Sequence, residues 1–229
     1  MASKTATVFS NKGLWWMIRW WLILTALAIV VDWIFALWLW KPDGLARLEA
    51  VLQHDLSYTM DLGGMAGNAT RFAVATANNL YALVFKASGL HEVGYRFADP
   101  TALNAPDTAA RKLYAMAYDW IRVAMVGVQL FGVRLAILVQ SIPVFLLAGF
   151  VAFEDGWWAG RYIRRAAAGR ESSFIYHRAK HYIFVSLTLV WGVYLLLPYS
   201  VDPRLVIFPF VIALALAVRY WAAYFKKYL

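Results

Sequence analysis

The chain has 229 residues, of which 62% are hydrophobic and 15% are charged, and its formal net charge is +9. Soluble domains are typically about 45–50% apolar and about 25% charged, so this composition excludes an ordinary soluble protein and indicates a membrane protein. The sequence contains no cysteine, which excludes disulfides, thiolate metal ligands and a thiol nucleophile.

Four segments are long and apolar enough to be transmembrane helices. A helix needs about 18–20 largely apolar residues to cross a hydrocarbon core of about 30 Å. The segments that meet this requirement are residues 14–40, 121–153, 182–200 and 204–225. They leave an N-terminal tail (1–13), a long insertion (41–120), a loop (154–181), a turn (201–203) and a C-terminal tail (226–229). The sequence therefore predicts an all-α integral membrane protein with four transmembrane helices.

The distribution of basic residues predicts the orientation of these spans. The loop holds the cations Arg161, Arg164, Arg165, Arg170, Arg178 and Lys180, whereas the insertion holds seven Lys/Arg against eight Asp/Glu. By the positive-inside rule, both termini and the loop face the cytoplasm, and the insertion lies outside. Tryptophans and arginines at 155–168 are typical of a helix that lies on an anionic leaflet. We expect anionic lipid to contact Arg161, Arg164, Arg165, Lys226 and Lys227.

The insertion is predicted to be mostly helical. Residues 44–60 repeat leucine at three- and four-residue steps, which indicates an amphipathic helix. The apolar segment at 72–87 is too short to cross, and a crossing would move the basic loop outside, so we expect an interfacial or re-entrant helix. A further helix is expected to begin at Asp107 or Thr108 and to run unbroken into the second span, with a kink at Pro143.

Two ionisable residues lie inside the predicted spans and need partners. A charge near the middle of a bilayer costs at least about 2.5–3.5 kcal/mol on insertion scales. Counting along the helices places Asp32 and Arg134 about 12 Å and about 19 Å from the outer ends of their spans, a difference near the reach of an arginine. We interpret them as an intramembrane pair between antiparallel helices. A conduction or proton pathway is the alternative.

One stripe of the second span is predicted to contact other helices. It combines amide and small side chains on one helix face, namely Gln129, Gly132, Ala136 and Gln140. Small residues let membrane helices approach closely, and amides form hydrogen bonds between them. The stripe therefore indicates helix packing.

A polar run interrupts the apolar sequence at GRESSFIYHRAKHYIF, residues 169–184. His177 and His181 have the spacing of a two-histidine metal clip, but Arg178 and Lys180 would repel a cation. The start of a helix explains the serines, which can cap its free N–H groups, and Glu171, which lies near the positive end of its dipole. It does not explain the histidines. We favour a cytoplasmic docking face without metal or cofactor, and a metal site is the alternative. The docking face consists of Arg170, Glu171, Ser172, Tyr176, His177, Arg178, Lys180 and His181.

The order of one span, a long insertion, a second span and this basic loop resembles the integrating conjugative element membrane proteins. The resemblance covers nearly the whole chain, and two segments carry it. They are Glu154, Asp155 and Gly156 with Arg161, and Gly169, Arg170, Glu171, Ser172, Ser173, Tyr176, His177, Ala179 and Lys180. It implies a non-enzymatic protein of the bacterial inner membrane, encoded in a conjugative transfer cluster near the coupling ATPase of a type IV secretion system.

Three functional hypotheses follow, of which the third is a membrane metalloenzyme centred on His177 and His181. The favoured one is a scaffold or accessory subunit that docks the coupling ATPase, or another conjugation protein, through residues 154–181. The alternative is an oligomeric pore or transporter that uses Asp32 and Arg134. Membrane lipids are expected partners, and direct contact with nucleic acid is not expected, because lipid accounts for the cations of the loop. The sequence leaves open whether the chain forms a homo-oligomer.

Overall fold

The computed structural model describes residues 11–60, 66–93, 108–166, 182–183 and 189–224. Within these ranges all regular structure is helical, as the sequence predicts. The helices are α1 (Asn11–Ile34, continued by a π-helical turn at Phe35–Leu39), α2 (Gly44–Met60), α3 (Ala66–Tyr81, continued by a π-helical turn at Ala82–Lys86), α4 (Thr108–Ala166), α5 (189–196) and α6 (Pro203–Ala223).

Among the residues so described, three helical stretches are long and apolar enough to cross a membrane. They are Leu22–Leu39, Ala117–Gly160 and Pro203–Ala223. These stretches are consistent with a multi-pass membrane protein. The fourth predicted span, 182–200, is described only at 182–183 and 189–200, so it stays a prediction, as does the orientation.

The apolar part of α4 is longer than a bilayer requires. Ala117–Gly160 has 44 residues, which corresponds to about 66 Å of helix and about twice the thickness of a hydrocarbon core. α4 begins at Thr108 and continues through Pro143, so the predicted unbroken helix is confirmed. Residues 155–166 belong to this same helix, whereas the sequence predicts a separate helix on the leaflet there.

The chain divides into two compact units. The first comprises residues up to His54 together with Val74–Val133, and the second comprises Asp55–Ala73 together with the chain from Arg134 onwards. Two apolar clusters lie in the core of the first unit, namely Ala36, Trp40, Leu48, Val123 and Leu130, and Phe85, Ala124 and Val128. Leu48 of α2 is fully buried, in agreement with the apolar face predicted for that helix.

In the second unit, the C-terminal part of α4 packs closely on α6. A Cβ on Gly156 would overlap the carbonyl oxygen of Arg219, and a Cβ on Gly160 would overlap that of Ala223. The two glycines are four residues apart and share one face of α4, the small-residue spacing that brings membrane helices together. Asp155 and Arg219 form an ion pair beside this contact. The contact explains why residues 155–160 continue α4 as one half of a helix pair.

Replacing Gly156 with alanine should destabilise the protein, because the new Cβ would force α4 away from α6. Overpacking typically costs about 1–3 kcal/mol, more than the gain of up to about 1 kcal/mol when alanine replaces a helical glycine. Gly149→Ala is the matched control, since a Cβ there meets no atom within 4 Å in the described part of the chain. Thermal unfolding followed by tryptophan fluorescence should give a lower Tm for Gly156→Ala and an equal or higher Tm for Gly149→Ala. Equal shifts of Tm would contradict the close contact.

Candidate functional site

A buried ion pair connects α2 and α4 in the second unit. The Nε of Arg134 donates to Oδ2 of Asp55 at 2.7 Å, and the two side chains are 2% and 1% exposed. Oδ1 of Asp55 accepts a hydrogen bond from Ser200 Oγ. Burying a charge costs several kcal/mol, so both groups need partners that replace water. Both oxygens of the carboxylate have such partners.

The rest of the Arg134 guanidinium binds the segment between α5 and α6. Nη1 donates to the carbonyl oxygen of Leu197, and Nη2 donates to that of Tyr199 at 3.0 Å. α5 ends at residue 196, and carbonyl groups at the end of a helix lack partners within the helix. A cation at this end also interacts favourably with the helix dipole. Arg134 therefore closes the end of α5 and holds the turn that leads into α6.

Tyr194 of α5 covers the guanidinium. The Cζ of Arg134 lies 5.9 Å from the centroid of the Tyr194 ring, within the range of a cation–π interaction. Tyr194 is 2% exposed, and its hydroxyl has no hydrogen-bond partner among the residues that the structure describes. We call Arg134, Asp55, Tyr194 and Ser200 the arginine hub. Each of the three guanidinium nitrogens of Arg134 donates to an oxygen atom of the protein, so the contacts of the hub position helices.

The arginine hub lies level with the beginning of α6. Asp202 caps α6 by accepting a hydrogen bond from the backbone N–H of Arg204 at 2.9 Å, and Pro203 occupies the first turn. The carbonyl oxygens that Arg134 binds come from the turn just before this cap. Counting along the predicted span places Arg134 about 19 Å deep. Its contacts place it beside the turn that precedes α6, and its depth in the membrane stays a prediction.

Asp32 is a buried carboxylate of α1 in the first unit. It is 5% exposed, and its Oδ2 lies 2.6 Å from the position that a Cβ on Gly127 would take. The ion pair that the structure describes for Arg134 is with Asp55, and the pairing with Asp32 stays a prediction. The carboxylate of Asp55 comes from α2, which lies outside the predicted spans.

The stripe predicted for helix packing contacts α3. In the second unit, Nε2 of Gln140 donates to the carbonyl oxygen of Ala69 at 3.3 Å. In the first unit, a Cβ on Gly132 would lie 2.6 Å from the Cα of Ala77. Of the other two stripe residues, Ala136 is fully buried and Gln129 is partly buried.

The remaining predicted site residues are not described or are described only in part. Arg161, Arg164 and Arg165 belong to the last turns of α4, and their contact with lipid stays a prediction. Within the described ranges no group of three or more His, Cys, Asp or Glu could hold a metal ion, which leaves the metal alternative at His177 and His181 untested. The residues outside those ranges are Arg170, Glu171, Ser172, Tyr176, His177, Arg178, Lys180, His181, Lys226 and Lys227.

Asp55→Asn should destabilise the protein strongly, because it leaves a buried guanidinium without a counter-charge. Removing one partner of a buried ion pair typically costs about 3–5 kcal/mol. The control is Glu49→Gln, which breaks the 3.0 Å pair of Glu49 with Arg122, whose side chains are each 43% exposed. An exposed pair is worth at most about 1 kcal/mol.

The double variant Asp55→Leu with Arg134→Met should recover much of the stability lost in Asp55→Asn, since it buries no charge. Thermal unfolding followed by tryptophan fluorescence compares all three variants. The assignment of the arginine hub fails if Asp55→Asn lowers the Tm no more than Glu49→Gln.

Tyr194→Phe should leave the stability unchanged or raise it, because the hydroxyl that it removes is buried without a described partner. An unsatisfied buried polar group costs about 1–3 kcal/mol. The control is Tyr81→Phe, which removes a 2.8 Å hydrogen bond between the Tyr81 hydroxyl and Nδ1 of His91 and should cost about 1 kcal/mol. If Tyr194→Phe melts at a lower temperature than Tyr81→Phe, the Tyr194 hydroxyl contributes a bond that the hub does not account for.

Comparison with known protein families gives the biological context. The model of the family described as IncC plasmid conjugative DNA transfer protein DtrJ-like matches residues 39–226. No curated protein and no solved structure matches the chain. The conjugative context that the sequence resemblance implies is thus confirmed, whereas the integrating conjugative element membrane family is not. Because the match covers most of the chain, this protein belongs to the DtrJ-like family of conjugative DNA transfer proteins.

Proposed function

We propose that this chain is a non-enzymatic scaffold subunit of a conjugative type IV secretion system in the bacterial inner membrane. Family membership assigns it a role in conjugative DNA transfer. The observation that carries the more specific proposal is the arginine hub. Its guanidinium and carboxylate form hydrogen bonds that connect α2, α4 and the segment between α5 and α6. Such bonding favours a rigid frame, and it disfavours conduction through Arg134, whose partners are fixed.

A rigid frame is what a docking subunit needs beneath its contact surface. The arginine hub holds α4 at the beginning of α6, and Gly156 and Gly160 hold α4 against the last turns of α6. The proposed docking segment, 154–181, begins in this second contact and continues into the polar run. Anchoring the start of a docking segment reduces the conformational entropy that is lost on binding.

The coupling ATPase, or another transfer component, is the proposed partner of this segment. Its polar run combines Arg170, Glu171 and Tyr176 with two histidines. Arginine and tyrosine are enriched in protein interfaces, and a mixture of charge signs selects a complementary partner rather than an anionic surface. Lipid headgroups are sufficient partners for the cations at the end of α4, so no contact with nucleic acid is invoked.

A donor strain that carries Arg170→Ala, Glu171→Ala and His177→Ala together should transfer DNA at a strongly reduced frequency. Truncating interface hot spots typically costs at least about 2 kcal/mol, so the coupling ATPase that co-purifies with the chain should fall by at least about tenfold. The measurement is the transfer frequency, together with mass-spectrometric quantification of co-purified proteins. Immunoblotting of membrane fractions verifies an unchanged amount of the chain.

The matched control is Lys226→Ala with Lys227→Ala, which removes two cations that the predicted topology places on the same side of the membrane. This control should keep both transfer and co-purification. The docking proposal fails if the triple variant transfers DNA at the normal frequency and retains its co-purified partners.

A further inference from the structure

A narrow cavity lies between α4, the beginning of α6 and the end of α2 in the second unit. Its volume is about 150 Å³, roughly that of five water molecules and below the about 300–1,000 Å³ of pockets for drug-sized ligands. Its walls are largely apolar and include Ile137, Val144, Pro203, Ile207 and Phe208. The volume and the walls fit a short run of an aliphatic chain.

Polar side chains around the cavity already bond to protein. Ser141 Oγ donates to the carbonyl oxygen of Leu138 at 2.7 Å, and Gln140 Nε2 donates to that of Ala69 at 3.3 Å. The Asp202 carboxylate caps α6. An apolar occupant therefore gains contact with the walls without leaving these groups unsatisfied.

The cavity reaches the surface that α6 exposes. Phe208 lines the cavity and is 54% exposed, and the nearby Leu205 and Ile212 are 72% and 61% exposed. α6 as a whole is apolar enough to cross a membrane. Lipid acyl chains are therefore the medium that meets the mouth of the cavity.

Arg204 places a cation at the rim of the cavity. It lines the cavity from the first turn of α6, and its side chain is exposed. The end of a spanning helix lies at the level of the lipid headgroups, where an arginine side chain extends toward phosphate. A cation above an apolar cavity complements a ligand that joins an anion to an aliphatic chain.

A more open groove continues the cavity along the same two helices. It has a volume of about 540 Å³ and lies between residues 144–155 of α4 and residues 215–219 of α6, and Val144 lines both spaces. From Arg204 to Leu216, α6 rises by about 18 Å. One leaflet contributes about 15 Å of hydrocarbon core, so the apolar path is long enough for one acyl chain.

We propose that this cleft, formed by the cavity and the groove, binds one glycerophospholipid. An acyl chain lies between α4 and α6, and the phosphate lies on Arg204. The lipid fills the space that the two helices leave between the arginine hub at one end and the glycine contact at the other.

Native mass spectrometry of the full chain, purified in a mild detergent, tests the site. We expect one retained phospholipid per chain, and at least about tenfold less retention in Val144→Trp, which replaces the acyl chain with an indole in both parts of the cleft. The matched control is Ile142→Trp, since Ile142 is 39% exposed on the same helix and Val144 is 44% exposed. Arg204→Gln should lower the retention by about fivefold, the usual effect of one cation near a membrane surface.

Equal retention in Val144→Trp and Ile142→Trp would overturn the proposal, as would a wild-type chain that retains no phospholipid. Inorganic phosphate should not displace the lipid, and displacement by phosphate would indicate a site for the free anion instead. If Val144→Trp does not fold, a photoreactive diazirine phospholipid added to the wild-type chain decides the question. Adducts in 137–155 and 203–219, which line the cavity and the groove, support the site. Adducts confined to other segments refute it.

Discussion

The second unit depends on the partners that one buried cation requires. Arg134 is 2% exposed and binds a carboxylate from α2 and two carbonyl oxygens from the turn after α5, and it lies over a ring of α5. Burial of an isolated guanidinium would cost several kcal/mol, so the fold in which these partners converge is favoured over alternatives in which one is missing. The pair need not add net stability to have this effect, because its value lies in excluding other arrangements.

Two ion pairs described in the second unit, Asp55–Arg134 and Asp155–Arg219, illustrate how burial decides what a charge contributes. Asp155 and Arg219 are about half exposed, at 58% and 45%, and a pair in that environment contributes little. The contact beside them depends on Gly156 and Gly160, where the absence of a side chain lets two helix backbones meet. One end of the α4–α6 pair is therefore fixed by a desolvated charge, and the other end by close packing of backbone.

Sequence periodicity predicts the elements well and the contacts between them poorly. The leucine spacing of 44–60 predicts α2, and the absence of a break after Thr108 predicts one helix through the second span. The pair of Asp55 with Arg134 is missed because the residues are 79 positions apart, and helical spacing identifies a face without identifying what packs on it. The family resemblance, carried by residues 154–161 and 169–180, supplies the conjugative context, which no periodicity indicates.

For a related physical reason, a count along the apolar run does not establish how deep Arg134 lies in the membrane. A depth counted along an apolar run assumes that the whole run lies in lipid. Apolar residues are found both in protein cores and in membrane spans, so hydropathy does not distinguish the two. In the first unit, Val123, Val128 and Leu130 of α4 are buried by protein within a largely apolar stretch of 44 residues. An apolar helix about twice as long as the bilayer is thick must be covered over part of its length by other helices. A buried arginine is tolerated where those helices provide a carboxylate and carbonyl groups. Arg134 is therefore a consequence of protein packing, and its presence inside an apolar run does not by itself indicate a path for ions.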